Sequence, residues 1–380
     1  MPRPPQSRPR MPIRSLVVAL ALAVLAGLAG QPQAATMAEF QDGNLAIYGD
    51  TGSANIIRRS DLPSLLRGQP RWQTIADIGA LGAAEKRDWR LVDFQCLPPR
   101  WSPCLLFLSE QGKAGVVLRE LDTGTGRLVA DGFSLPAGPT RAAWYDDTRI
   151  MIAGNLSPGA VTVAGKPRLL KLWTRGTSQF AAETILAGDD RTLDITPRFS
   201  LSPGGLFHAA ELADGNGTTQ IFHFGWAQNF RRSALPGDAR LVDFFQGRAI
   251  ALVGAPWLHA GRRFPAGSLV AYPMAPLMAP IARTLPELAY TPAEGARVID
   301  AKAGRDRLFV HVASGGTEQL IMLRKGAPDW PATDIAVPGS GAFRIVAASG
   351  LADIALVARG SGAAERLYLV GRGSAREVKP

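Results

Sequence analysis

Histidine and cysteine are nearly absent: the chain of 380 residues holds four of the first and two of the second. Metal centres need several clustered His, Cys or acidic ligands, and His208, His223, His259 and His311 lack a ligand spacing such as His-x-x-x-His beside an acid. No metal and no other cofactor is therefore expected. A Gly-x-Ser-x-Gly elbow is missing as well. Gly154-Asn155-Leu156-Ser157-Pro158-Gly159 and Gly339-Ser340-Gly341 have the wrong spacing and no strand-to-helix context. Long amphipathic helical patterns are absent, which excludes parallel α/β folds and solenoids of helix pairs. Basic residues occur as scattered pairs, Arg58-Arg59, Arg231-Arg232 and Arg262-Arg263, not as the stripe that phosphate backbones require, so no nucleic-acid partner is expected.

What is present begins with an address. Arg3, Arg8, Arg10 and Arg14 precede the apolar run Leu16 to Leu28, which is too short to span a bilayer, and small residues follow from Ala29 to Ala35. Residues 1–35 are read as a secretory signal peptide and 36–380 as one β-propeller domain. The expected location is periplasmic or extracellular, with no membrane insertion after cleavage. Removing the four arginines of that segment lowers the formal charge from +10 to +6.

The rest is strand-length apolar segments separated by Gly, Asp, Ser, Asn and Pro. Trp89 to Leu128 reads as four short strands, and its opening Arg90-Leu91-Val92-Asp93-Phe94 returns as Arg240-Leu241-Val242-Asp243-Phe244 and, loosely, as Arg297-Val298-Ile299-Asp300. Similar units open at Met37, Arg141, Arg198 and Arg344. A period of about fifty residues, each unit unable to bury both of its faces alone, predicts radial packing of sheets. The expected fold is all-β, a seven-bladed β-propeller of four-stranded antiparallel blades. Asp77 to Lys86 is the expected helical turn, and Asp214-Gly215-Asn216-Gly217 a tight hairpin turn.

Few residues suggest chemistry. Asp93, Asp243 and Asp300 recur at one blade position, where an innermost strand would carry carboxylates toward the channel. A structural role closing each blade's first turn is the favoured alternative. Asp146-Asp147 and Asp189-Asp190 lie in turn-forming segments. Trp257 with Arg262-Arg263 occupies an excursion longer than a hairpin needs, either a contact loop or core packing. Cys96 and Cys104 flank Pro98-Pro99-Arg100-Trp101-Ser102-Pro103 in a hairpin. In an exported protein this predicts a disulfide. Redox chemistry is the weaker alternative, because catalytic pairs sit closer together at a helix N-terminus.

Several segments carry a family resemblance: Arg71-Trp72-Gln73-Thr74-Ile75, Cys96-Leu97-Pro98-Pro99, Val117-Leu118-Arg119-Glu120-Leu121-Asp122, Asp131-Gly132-Phe133, Leu172-Trp173-Thr174-Arg175-Gly176-Thr177 and Pro265-Ala266-Gly267-Ser268-Leu269. Over most of residues 44–275 the chain resembles the N-terminal propeller of secreted bacterial prolyl oligopeptidases. The resemblance implies a propeller that caps an α/β-hydrolase domain and filters large substrates. No catalytic serine, aspartate or histidine of that hydrolase domain has a counterpart in this sequence. The expected function is a non-catalytic, peptide- or protein-binding module. The alternative is the propeller subunit of a split serine peptidase whose hydrolase domain is encoded separately, and the ligand-binding residues are unknown.

Overall fold

A computed structural model describes residues 36–49, 55–189, 191–202, 205–214, 219–226, 229–274, 285–326, 329–360, 365–371 and 374–379. The signal segment Leu16 to Leu28 and the turn residues Gly215 to Gly217 lie outside the described residues. Successive antiparallel sheets occupy Met37–Asp77, Trp89–Gly138, Arg141–Ala187, Thr192–Arg232, Arg240–Tyr290, Ala296–Ile335 and Phe343–Val378. Within each, the first strand in sequence sits at one edge and hairpins add the others outward. Alternating apolar residues give every sheet two faces to bury. Radial stacking answers that need: seven apolar clusters each join neighbouring sheets, and one of them packs Phe40, Leu45 and Ile47 of the first sheet against Leu356, Leu367 and Leu369 of the last. The described residues therefore form a closed propeller.

Six of the sheets are four-stranded, which corrects the expectation of seven four-stranded blades. The second sheet has five strands because the outer edge of Val116–Asp122 is shared by two short segments. Arg127–Leu128 pairs with Leu121 and Asp122, and Leu135–Gly138 pairs with Val116 and Leu118. Between them the chain leaves the edge to bury Phe133, which meets Trp144 and Trp173 edge-on at 6.0 and 5.0 Å. Aromatic burial of this kind is stabilising and anchors the departure from a continuous edge strand. Pro136 fits there because an edge strand needs no inward N–H at that position.

Two helices interrupt the first sheet's surroundings. Ile78–Glu85 is capped by Asp77, whose Oδ1 accepts from Ala80 N at 2.8 Å, and it ends at left-handed Lys86. Leu62–Leu66, not evident in the sequence pattern, is capped the same way by Asp61, which accepts from Ser64 N, and carries Pro63 in its first turn.

The repeated Arg-Leu-Val-Asp-Phe motif encodes a bulge. Register shifts set aside Val92, Val242, Ile299 and Val346 as extra residues in the innermost strands. At the bulge the following aspartate accepts from the next backbone N–H: Asp93 from Phe94 and Asp243 from Phe244, both at 2.8 Å. These carboxylates therefore secure a strand irregularity, not the first turn as expected. The fourth sheet hides the same device six residues earlier than the sequence suggested. It begins at Thr192, not Arg198, and Asp194 accepts from Ile195 N at 2.9 Å beside the bulged Leu193.

The arginine at the head of the motif ties one sheet to the next. Arg240 donates to the bulge carbonyl of Ile299 at 2.7 Å, Arg141 donates to Asp194 at 3.2 Å, and Arg344 donates to Thr36 O at 2.9 Å. The last of these closes the ring between its two ends.

Candidate functional site

Strands that tilt around a common axis bring their innermost members together, and here they enclose a cavity of about 910 Å³. All the sheets contribute to its wall, from Ala38, Glu39 and Phe40 in the first to Val346, Ala347 and Ala348 in the last. The bulged residues Val92, Val242 and Val346 face it, so the irregularity that the repeat encodes also delivers β-branched side chains to the axis. Phe107, Phe199 and Pro197 add to this apolar lining. Hairpin turns form one mouth: Asp42, the Pro98 to Trp101 loop, Gly304-Arg305 and Ser349 to Leu351.

The Pro98–Trp101 loop is pinned at its base. Cys96 and Cys104 sit opposite one another in register and are joined as a disulfide with Cα atoms 3.9 Å apart. Trp101 adopts φ +56°, a conformation unfavourable for a residue with a Cβ, and its carbonyl accepts from Thr123 Oγ1 at 3.2 Å. Its ring packs against the first apolar cluster while lining the cavity.

Charge is distributed unevenly around the wall. Arg198 is paired with Glu211, Arg141 with Asp194, and Arg305 lies 3.6 Å from Asp306. Burial raises Asp243 above the ordinary carboxylate range, against the opposing pull of Lys302 and the N–H of Ala303 in the neighbouring sheet at 2.8 Å. Glu39 has no cationic partner among the described residues. It accepts from Gln41 Nε2 at 3.0 Å and from Cys96 N at 3.3 Å. Desolvation pushes its pKa up to about 8, hydrogen bonds from Gln41 and Cys96 oppose this, and the charge of Asp93 adds to it. Burial also raises Asp93. Glu39 was not singled out by sequence, since a lone glutamate in Met-Ala-Glu-Phe-Gln reads as any half-exposed strand residue.

The other candidates disperse. His208 stacks on Tyr145 with ring centroids 4.3 Å apart and shares a hydrogen bond with Tyr145 O, an inter-sheet joint. His311 stacks on Phe343 and bonds Glu318 at 3.1 Å. Burial lowers the pKa of both imidazoles. The strand of His223 lies beside that of His208, with Ala210 as its register partner. His259 stacks on Trp257 in a two-stranded ribbon, Trp257–His259 with Arg262–Phe264, so the long excursion of the fifth sheet is folded on itself. Among the described residues no three His, Cys, Asp or Glu side chains group as metal ligands. Asp300 sits 3.8 Å from Arg240 and is not part of the cavity wall. Asp146 accepts from Thr148 N and Asp189 from Arg191 N, both as turn caps. No helix among the described residues is long and apolar enough to cross a membrane.

A β-propeller with a ligand-sized axial cavity is the class these features define. Its fold is that of the propeller half of prolyl oligopeptidases. A post-proline cleaving enzyme from Rickettsia typhi superposes with a TM-score of 0.77 at 17% identity, over 92% of this chain and 53% of that one. Oligopeptidase B from Leishmania major gives 0.65 at 10% identity over 92% and 49%. In sequence, the chain is 30% identical over 295 residues to an uncharacterized peptidase, y4nA, of Sinorhizobium fredii, spanning 74% of this chain and 40% of that protein. The chain thus spans about half the length, or less, of the proteins it matches. No family model matches it.

Proposed function

We propose that this propeller is an exported binding module that takes a peptide, or an extended segment of a protein, into its axial channel without performing chemistry of its own. The carrying observation is the cavity of about 910 Å³ whose wall is assembled from the innermost strands of every sheet. Counting the sheet with the divided outer edge as a blade, the ring has seven. A cavity of that size, largely apolar with a few placed polar groups, suits a ligand of several residues. The run Leu16 to Leu28 behind four arginines and the Cys96–Cys104 bridge both favour an exported protein. Titration of the purified chain with proline-containing peptides tests the reading, with Ala348→Trp as a plug of the channel. Binding that the plug abolishes supports it. Undiminished binding moves the site elsewhere, and peptide cleavage that survives stringent purification overturns the non-catalytic role.

A second reading is favoured by one observation: the similar peptidases are about twice as long as this chain. On that reading the propeller is one subunit of a split serine peptidase. Pull-down from the native exported fraction is the test, and recovery of no hydrolase-like partner counts against it.

A further inference from the structure

The channel wall contributed by the first two sheets is rich in acceptors and poor in donors. Glu39 and Gln41, two residues apart, project from the same face of Met37–Gln41. Gln41 lies behind the wall, 1% exposed, and its amide nitrogen is committed to Glu39 Oε2, which leaves its carbonyl oxygen with no donor among the described residues. Gln95 Oε1, on the adjoining strand of the second sheet, is likewise buried without a donor, and its residue lines the cavity. Asp93 lines it too, and among the described residues its carboxylate has only the N–H of Phe94 as a hydrogen-bond donor. Three cations of the cavity wall are paired elsewhere, Arg141 with Asp194, Arg198 with Glu211 and Arg305 with Asp306, and Lys302 of the sixth sheet opposes the rise of Asp243. Arg198 also acts on Asp93 at longer range.

Buried acceptors without donors are costly, and a carboxyl that can ionise only without a counter-ion keeps its proton instead. Both needs are met by one kind of ligand group, a compact cation with several N–H donors. We propose that Glu39, Asp93 and Gln95 of the channel wall, with Gln41 held behind Glu39, form a subsite for a primary ammonium group, presented by a peptide either as its N-terminus or as a lysine side chain. A metal ion fits the set less well, because no three His, Cys, Asp or Glu side chains converge among the described residues. The inference rests on the channel-binding reading above and specifies the ligand group it selects.

The state of Glu39 supplies an independent signature. With its pKa near 8, the carboxyl is mostly protonated at neutral pH. An arriving ammonium favours the ionised form, so the proton leaves Glu39 for solvent as the ion pair forms. Binding then releases protons at pH 7 and tightens as the pH rises. For an amine that stays charged to pH 9, the ionised fraction of Glu39 grows about tenfold between pH 7 and 9, and so does the affinity.

Calorimetric titration of the full chain with triglycine amide, its N-acetylated form, Nα-acetyl-lysine amide and calcium chloride tests this. The result expected is binding of one or both amine-bearing probes at least ten times tighter than the acetylated tripeptide. At pH 7 their heats should differ between phosphate and Tris buffers by the released proton. Glu39→Gln, which mimics the neutral acid, should fold, lose the buffer dependence and weaken the amine probes. Which amine binds tells N-terminus from lysine. Equal affinity for the free and acetylated tripeptides, with no gain for the lysine probe, overturns the subsite but leaves channel binding standing. Binding of none of the peptides overturns both, and stoichiometric calcium binding lost in Glu39→Gln replaces the ammonium with a metal. Because the pH dependence is read on the unaltered chain, the proposal stays testable even if the variant fails to fold.

Discussion

Arg175 of the third sheet holds Glu120 of the second through both guanidinium nitrogens, Nη1 to Oε2 at 2.9 Å and Nη2 to Oε1 at 2.8 Å. Glu120 is 2% exposed, and the same Oε2 accepts from Phe133 N at 2.7 Å, while the guanidinium lies 4.6 Å from the Phe133 ring. One ion pair therefore fixes the excursion that divides the outer edge of the second sheet. Arg175→Ala leaves a buried carboxylate with a single backbone donor and should cost about 3 kcal/mol, at the lower end for a broken buried pair because Arg175 is partly exposed. Replacing both partners, Glu120→Gln with Arg175→Met, removes both charges, keeps an acceptor for Phe133 N and should recover most of that loss. Urea denaturation of the three proteins is the check, and a double variant no better than Arg175→Ala would refute the argument.

The ring closes without a strand shared between its ends, since the first and last sheets are each built from contiguous segments. Polar closure rests on Glu365, which accepts from Thr36 N and Oγ1 and from Arg344 at 2.8 Å, and on Trp72 Nε1 donating to Lys379 O at 3.0 Å. Glu365→Ala should open this seam first. Amide exchange in Met37–Gln41 and Phe343–Ala348 is expected to accelerate while the third and fifth sheets keep their protection. Uniform acceleration throughout would mean that the seam is not an independent weak point.

The short loop tied by Cys96 and Cys104 restricts the unfolded chain by a modest amount. In the loop-closure model its loss, through Cys96→Ala with Cys104→Ala, should cost about 2–3 kcal/mol. The same variant frees the base of the loop that presents Trp101, so the tryptophan emission should shift along with the denaturation midpoint. A change in midpoint with unaltered emission would separate the bridge from the placement of that ring.

Much of this architecture is legible in the chain, for a physical reason: a sheet that must bury two faces repeats its pattern, and hairpin turns punctuate it. The sheet openings at Met37, Arg141 and Arg240 coincide with the first strands. What periodicity cannot show is where a strand departs from regularity. Val92 and Val242 look like ordinary strand residues, and only pairing reveals them as bulges. Arg191-Thr192-Leu193-Asp194-Ile195 follows the Arg-Leu-Val-Asp-Phe pattern closely enough to mark the fourth sheet, but Thr192 replaces its apolar second residue, and the strand-like Arg198-Phe199-Ser200-Leu201 draws the reading six residues downstream. The candidate site was less legible still. Asp93 and Asp243 recur and so attract notice, whereas Glu39 occurs once and gains its character from neighbours 57 residues away in the chain.

The ionisation of Glu39 also predicts how stability varies with pH. Its folded pKa of about 8 lies above the ordinary carboxylate value, so between the two the folded state holds a proton that the unfolded state has lost. Stability from this residue is therefore greatest in mild acid and is lost as the pH rises through 8. His208 and His311 act in the opposite sense: burial lowers their pKa values, so their contribution is present above about 6.5 and fades as the pH falls below it. Glu39→Gln removes only the decline between the ordinary carboxylate pKa and about 8. Its melting temperature should match that of the unaltered chain at pH 5 and exceed it at pH 9, because the neutral amide never has to ionise in the channel wall. Parallel melting curves at both pH values provide the measurement, and an equal difference at each would show that Glu39 ionises in the folded protein at its ordinary pKa.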